Sequence, residues 1–135
     1  LFGGYAGGSE NGETWVYDLS ENSWTNKSKS LTVAPSPRDS HAMAWLGGDQ
    51  VLLFGGLSFD YNGETWVYDL SENSWTEKSP APAPTARYYH AMAPLGGGQV
   101  LLFGGYGADF DGDTWVATGF FVPLRVSLPL VMQNY

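Results

Sequence analysis

Two Arg-x-x-His clusters, Arg38 with His41 and Arg87 with His90, carry the side chains of this sequence best suited to chemistry. A guanidinium grips a carboxylate with two parallel hydrogen bonds, and a neutral imidazole beside acidic loops can relay a proton or ligate a metal. A catalytic set is needed once, however, and these clusters stand at the same place in two successive units of the chain. Their repetition assigns them to structural hydrogen bonding and salt bridging, with Glu13, Glu64 or Asp113 as partners, and leaves Arg87 open to display at a rim. A second constellation, Asp109, Asp111 and Asp113, gathers carboxylates of the kind calcium prefers. Its Gly is misplaced for an EF-hand loop, and Asp111 sits where a Gly-Gly-x-Gly-x-Asp repeat needs an apolar residue, so it reads as a solvated loop. No catalytic residue, metal or cofactor is assigned.

The third constellation is aromatic. Tyr5, Phe59, Asp60, Tyr61, Tyr106, Asp109, Phe110 and Asp111 fall in segments that differ between units, with Arg38, Arg87, Tyr88 and Tyr89 nearby. Aromatic rings beside carboxylates suit a carbohydrate- or peptide-binding surface, and variation on a repeated frame is where specificity resides. Ordinary loop drift is the competing explanation.

The frame that must position these residues is written in repeats. Asn11 to Thr25 and Asn62 to Thr76 are the same fifteen residues, an identity that extends to the polar Ser20-Glu21-Asn22-Ser23 and points to duplication. Leu1-Phe2-Gly3-Gly4 returns as Leu53-Phe54-Gly55-Gly56 and Leu102-Phe103-Gly104-Gly105, and Trp15 returns as Trp66 and Trp115, a period of about fifty residues. Each unit divides into four short runs. In the middle unit His41 to Trp45 is followed by Gln50 to Phe54, whose successive apolar positions read as a strand buried on both faces. Glu64 to Asp69 alternates, with Trp66 and Tyr68 on one side and Val67 on the other, and Trp75-Thr76-Glu77-Lys78 is polar enough for an outermost strand. The indoles supply large flat surfaces between sheets, and the paired glycines supply either positive φ or close backbone approach.

The Gly-Gly pair, Trp-x-Tyr-Asp, a Trp seven positions after the Tyr (Tyr17 to Trp24, Tyr68 to Trp75) and Pro-x-Arg-x-x-His together resemble the kelch repeat. The resemblance covers residues 1 to about 116 and implies an all-β fold: kelch-type β-propeller blades of four antiparallel strands, in an incomplete ring of about three blades. On that basis residues 1–37 form a partial blade and linker, 38–86 a complete blade with its Pro-rich linker, 87–118 a third blade, and 119–135 a divergent edge strand. Gly3, Gly4, Trp15, Tyr17, Trp24, Arg38, His41, Gly55, Gly56, Trp66, Tyr68, Trp75, His90, Gly104, Gly105 and Trp115 are then the structural repeat. The resemblance further implies a non-catalytic interaction module that binds a protein or glycan. Its rivals are part of a kelch-type carbohydrate-active enzyme, either an oxidase or a sialic-acid isomerase, and a structural spacer. The oxidases resemble a Tyr crosslinked to Cys, and this sequence has no Cys.

Composition narrows the partners. Fourteen acidic against six basic residues give a net charge of −8, which disfavours nucleic acid and anionic membrane surfaces. The tail from Gly119 to Tyr135 holds an Arg and two Pro, too short and too broken to span a bilayer. Its Leu128-Pro129-Leu130-Val131 resembles short tails of some secreted bacterial proteins, hence the expectation of an extracytoplasmic location. The sequence starts at Leu1 within the second strand of a unit, so it reads as the C-terminal part of a longer propeller, with the remaining blades supplied by upstream sequence or by self-association.

Overall fold

The computed structural model describes residues 1–118 and the backbone of Leu124–Arg125. Twelve strands are formed among the described residues: β1 (Tyr5–Ala6), β2 (Ser9–Glu10), β3 (Trp15–Asp18), β4 (Ser23–Asn26), β5 (Ala42–Gly47), β6 (Gln50–Phe54), β7 (Thr65–Asp69), β8 (Ser74–Lys78), β9 (Ala91–Gly96), β10 (Gln99–Phe103), β11 (Thr114–Thr118) and β12 (Leu124–Arg125). A single 3-10 turn, Ser28–Ser30, is the only helical element among the described residues. Strands β5-β6-β7-β8 form one four-stranded antiparallel sheet, and β9 to β12 form a second in the same sequential order. In the first unit β3 pairs with β4, and Phe2 bridges Thr14 where a second strand would run. The chain is therefore all-β, built of incomplete propeller blades. The remainder of the expected edge strand in 119–135 lies outside the described residues.

Register decides which side chains meet. In the middle blade Met43 lies opposite Leu53, Leu53 opposite Trp66, and Tyr68 opposite Trp75, so all five point to one face. That face packs on Phe2, Val16 and Leu31 of the first unit. The other face, with Ala44, Leu46, Leu52 and Val67, packs on Val100, Met92 and Ala117 of the third. The core is thus two apolar layers between three blades; β5, β6 and β7 contribute to both, and β8 contributes Trp75 to the first. A buried Trp here removes roughly 150–250 Å² from water, or about 4–6 kcal/mol of gross apolar stabilisation before entropy is subtracted.

The turn between the third and fourth strands explains part of the repeated phrase. Asp69 Oδ1 accepts hydrogen bonds from the backbone N–H groups of Ser71 and Glu72 and from the Ser71 hydroxyl. Asn73 adopts φ 47, a left-handed conformation that Asn tolerates, and its side-chain Oδ1 accepts a hydrogen bond from the Tyr68 hydroxyl at 2.7 Å. Asp18, Ser20, Glu21, Tyr17 and Asn22 repeat the arrangement in the first unit. Ser20 and Asn22 of this exposed stretch thus take part in the turn.

The doubled glycines join blade to blade. Gly4 N–H donates to the Arg38 carbonyl and Gly56 N–H to the Arg87 carbonyl, both at 2.9 Å. Gly55 (φ 66) is so close to the third blade that a Cβ would run into the Arg87 carbonyl and meet the His90 ring at 2.9 Å. A Cβ on Gly56 (φ 103) would meet the Asp39 carbonyl at 2.8 Å and His41 Cβ at 2.9 Å. Gly3 and Gly55 thus abut the following blade, and Gly56 and Gly105 abut their own. Positive φ and close approach both require glycine here.

Candidate functional site

The loops after the second strands are carried by backbone pairing to the segments that open each blade. In the middle blade Leu57 bridges both Asp39 and Tyr61, and in the third Tyr106 bridges both Tyr88 and Phe110. The two loops share their internal bonds as well: Ser58 N–H donates to the Asp60 carbonyl at 3.1 Å and Gly107 N–H to that of Asp109 at 3.0 Å. The Asp60 and Asp109 carboxylates then accept the N–H of Tyr61 and Phe110, each at 2.8 Å. The corresponding first-unit segment is a β1–β2 hairpin that sets Tyr5 opposite Glu10. Sequence variation had marked these loops as irregular, whereas two of them prove to be one backbone design with different side chains. Gly107 replaces Ser58 because a Cβ there would collide with the Ala86 carbonyl.

What differs is what the frame displays. Phe59 and Phe110 are fully or largely exposed, Tyr5 and Tyr89 are open, and Tyr61 and Tyr106 are partly so. Tyr89, Tyr88, Tyr106 and Phe110 form a continuous chain of rings, with successive centroids 4.8, 5.7 and 5.0 Å apart. Such tilted and edge-on contacts match the electrostatics of aromatic pairs. Tyr89 takes φ 58, costly for an aromatic residue, and its N–H bonds to the carbonyl of Ser40, which stands at the equivalent position with φ 54. Ser40, the smaller residue at that position, was the available signal that a left-handed site had been given a large exposed ring.

Arg87 is not part of this display. Its side chain is wholly buried, with Nε on the Thr85 carbonyl at 3.1 Å, Nη1 on the Gly104 carbonyl at 3.0 Å, Nη2 on Thr85 Oγ1 at 2.9 Å, and both Nη atoms on Asp113. Asp111 adds a carboxylate oxygen at 3.5 Å. Arg38 is equally buried and repeats the pattern with Ser36, the Gly55 carbonyl and Glu64. Glu64 and Asp113 also accept the indole N–H of Trp66 and Trp115 at 2.8 and 2.6 Å. The Arg87 hydrogen bond holds the Asp113 carboxyl below its ordinary range against the opposing effect of burial. Burial pushes Glu64 up, but the bonds from Trp66 and Arg38 outweigh it and leave the net shift downward. Glu13 departs from the set: it takes Trp15, Asn26 and Asn11 instead of an arginine.

The imidazoles pack edge-on against the phenylalanines of the preceding unit. His41 stands edge-on to Phe2 at 5.6 Å and His90 edge-on to Phe54 at 5.5 Å. Neither ring nitrogen of His90 nor Nδ1 of His41 reaches a partner in good hydrogen-bond geometry, and the nearby backbone of Phe54 and Phe2 only partly offsets the effect of burial. Burial, and then the charge of Arg87, lower the His90 pKa to about 4, and burial with Arg38 lowers that of His41. Both rings are neutral at pH 7 and fill the space beside the glycine pairs. No group of three metal-ligating side chains is present among the described residues, and no helix there is long and apolar enough to cross a membrane.

Three successive antiparallel units stitched by Gly-Gly pairs and buried Arg–carboxylate cages define a set of propeller blades. The chain belongs to the kelch-repeat family: residues 1–116 match the KLHDC2/KLHL20/DRC7 Kelch-repeats domain. A stretch of 65 residues is 35% identical to an F-box/kelch-repeat protein of Arabidopsis thaliana, covering 45% of this chain and 14% of that protein. The chain therefore spans a small part of the length of that relative.

Proposed function

We propose that the chain is a non-catalytic interaction module that takes a protein ligand on the face formed by Tyr5, Phe59, Tyr61, Tyr89, Tyr106 and Phe110. The carrying observation is that backbone-paired loops hold these rings exposed while the arginines beside them are buried and ion-paired. Exposed Tyr and Phe offer contact area at small entropic cost, and Asp60 and Asp109 add negative charge around them. An aromatic, acidic face of this kind suits a segment bearing Lys or Arg, through cation–π and ionic contacts. A neutral glycan is the other ligand that rings beside carboxylates accommodate.

Selection of ligands from a displayed peptide library, run beside a glycan array, tests the reading. A selected ligand should lose about thirtyfold in affinity on Phe110→Ala or Tyr89→Ala, the size of one interface hot spot. The melting temperature should stay within a degree or two, because both rings are exposed. Glycans alone responding to these variants would replace the protein reading with the carbohydrate one. Ligands indifferent to both variants would remove this face from consideration.

A further inference from the structure

Asn62-Gly63-Glu64-Thr65-Trp66 in the middle blade is answered in the third by Asp111-Gly112-Asp113-Thr114-Trp115. The first position is an amide in one blade and a carboxylate in the other, on the same backbone: Asn62 N–H donates to the Gly56 carbonyl at 2.8 Å and Asp111 N–H to the Gly105 carbonyl at 3.0 Å. Asp111 also lays a carboxylate oxygen 3.5 Å from Nη2 of the buried Arg87, so the repeat accepts the acid where the middle blade has the amide. An Asn followed by Gly is the pair whose main chain most readily attacks its own side chain, since the glycine nitrogen has no Cβ beside it to shield it. The fold arms that attack at Asn62. Glu64 N–H donates to Asn62 Oδ1 at 2.7 Å, the oxygen on which negative charge collects when Cγ is attacked. The Gly63 N–H, by contrast, makes no hydrogen bond among the described residues, and Gly63 is exposed.

We propose that Asn62 is a self-modifying site, which deamidates in the folded chain through a succinimide to aspartate and isoaspartate. The Gly63 nitrogen gives up its proton to water and bonds to Asn62 Cγ. The Cγ–Nδ2 bond then breaks, and Nδ2 takes a proton back and leaves as ammonia. One water opens the ring. Its attack at Cγ restores the ordinary main chain with an Asp side chain. Its attack at the former Asn62 carbonyl carbon leaves the main chain running through Cβ and Cγ, one carbon longer. The first product puts beside Arg38 what Asp111 puts beside Arg87, a second carboxylate. The second lengthens the segment between Tyr61 and β7 and displaces the Asn62 carbonyl, which accepts Arg87 N–H at 3.0 Å across the blade junction. Asn11, followed by Gly12 and with Glu13 N–H on its Oδ1 at 2.6 Å, is the equivalent site in the first unit. The reaction adds charge next to the aromatic face and does not depend on what that face binds.

Peptide mapping by mass spectrometry of the full chain, aged in mildly alkaline buffer, tests it. Cleavage after Lys and Arg places Asn62 in residues 39–78 and Asn11 in residues 1–27, so the two sites are read separately although their surroundings in sequence are identical. Asn62 should exchange NH2 for OH with time, and an isoaspartyl-specific methyltransferase should label part of the product. Its rate in the folded chain should lie within about tenfold of the rate in urea, whereas a site reached only through global unfolding would lag by about a thousandfold or more. Asn73, in the same peptide but followed by Ser74 and with its Oδ1 on the Tyr68 hydroxyl, should stay an amide. Gly63→Ala should abolish conversion at Asn62 and leave Asn11 at its wild-type rate. The comparison of folded with urea-unfolded wild type needs no variant and decides the matter should Gly63→Ala fold poorly. An Asn62 that converts in urea but stays intact in the folded chain, or one that converts undiminished in a folded Gly63→Ala variant, would overturn the proposal.

Discussion

At the scale of the residue, repetition distinguishes scaffold from display. Arg38 and Arg87 occur at the same repeat position, and both end in buried cages that gather a carboxylate, a glycine carbonyl and a nearby hydroxyl. Removing one guanidinium leaves the carboxylate and carbonyl without their donors, and breaking such a pair costs far more than a surface salt bridge. Arg87→Ala should cost about 3 kcal/mol in urea unfolding, at the low end for buried pairs because Asp113 is partly exposed. Gly55 and Gly104 offer a cleaner comparison, with φ 66 and 72 but different surroundings. Alanine at either pays about 1 kcal/mol for left-handed backbone. Only Gly55→Ala also forces a Cβ into the Arg87 carbonyl and the His90 ring, adding about 1–3 kcal/mol of overpacking. Equal losses in the two variants would show that blade contact is not why the first glycine is there.

At the scale of the element, the sequence disclosed the blades because their cause is local and periodic. Alternation in Glu64 to Asp69 separated Trp66 and Tyr68 from Val67, and the sheet register places them on opposite faces as read. Gln50 to Phe54 also formed a strand with its stated bounds. The first-unit hairpin β1–β2 was not legible, since Tyr5 to Glu10 has neither alternation nor an apolar face and pairs only through its Gly7-Gly8 turn. The common backbone of the two larger loops was hidden too. It rests on main-chain bridges and on Asp60 and Asp109 binding their neighbours' N–H groups, which tolerate Leu57 or Tyr106 alike. Burial then ranks the repeated indoles, which sequence treats as equal. Trp66 is sealed between blades and Trp24 is half open. Trp66→Ala should cost roughly 3–5 kcal/mol and Trp24→Ala much less in the single chain, a difference readable from paired melting curves.

At the scale of the whole molecule, the two interfaces share a response to acid. Each blade junction holds a neutral imidazole wedged beside glycines, His41 between the first and middle units and His90 between the middle and third. Burial and the adjacent arginine lower both pKa values, that of His90 to about 4. The unfolded chain binds a proton on histidine near pH 6.5, so below that value it holds more protons than the folded chain. Stability from the neutral rings is therefore complete above about pH 6.5 and is lost progressively as pH falls toward 4. The lowered carboxyls of Glu64 and Asp113 act in the same direction but lower down, because their contribution is lost as pH falls from the ordinary carboxyl range, where the unfolded chain takes up protons, through the lowered folded-state values. Thermal melts between pH 7 and 4 should thus show a decline that begins in the histidine range. In a His41→Leu, His90→Leu double variant, whose side chains still fill apolar space, the curve should be flat down to about pH 5 and fall only where the carboxylates titrate. A double variant that kept the wild-type slope between pH 6.5 and 5 would place the acid response elsewhere than in the blade junctions.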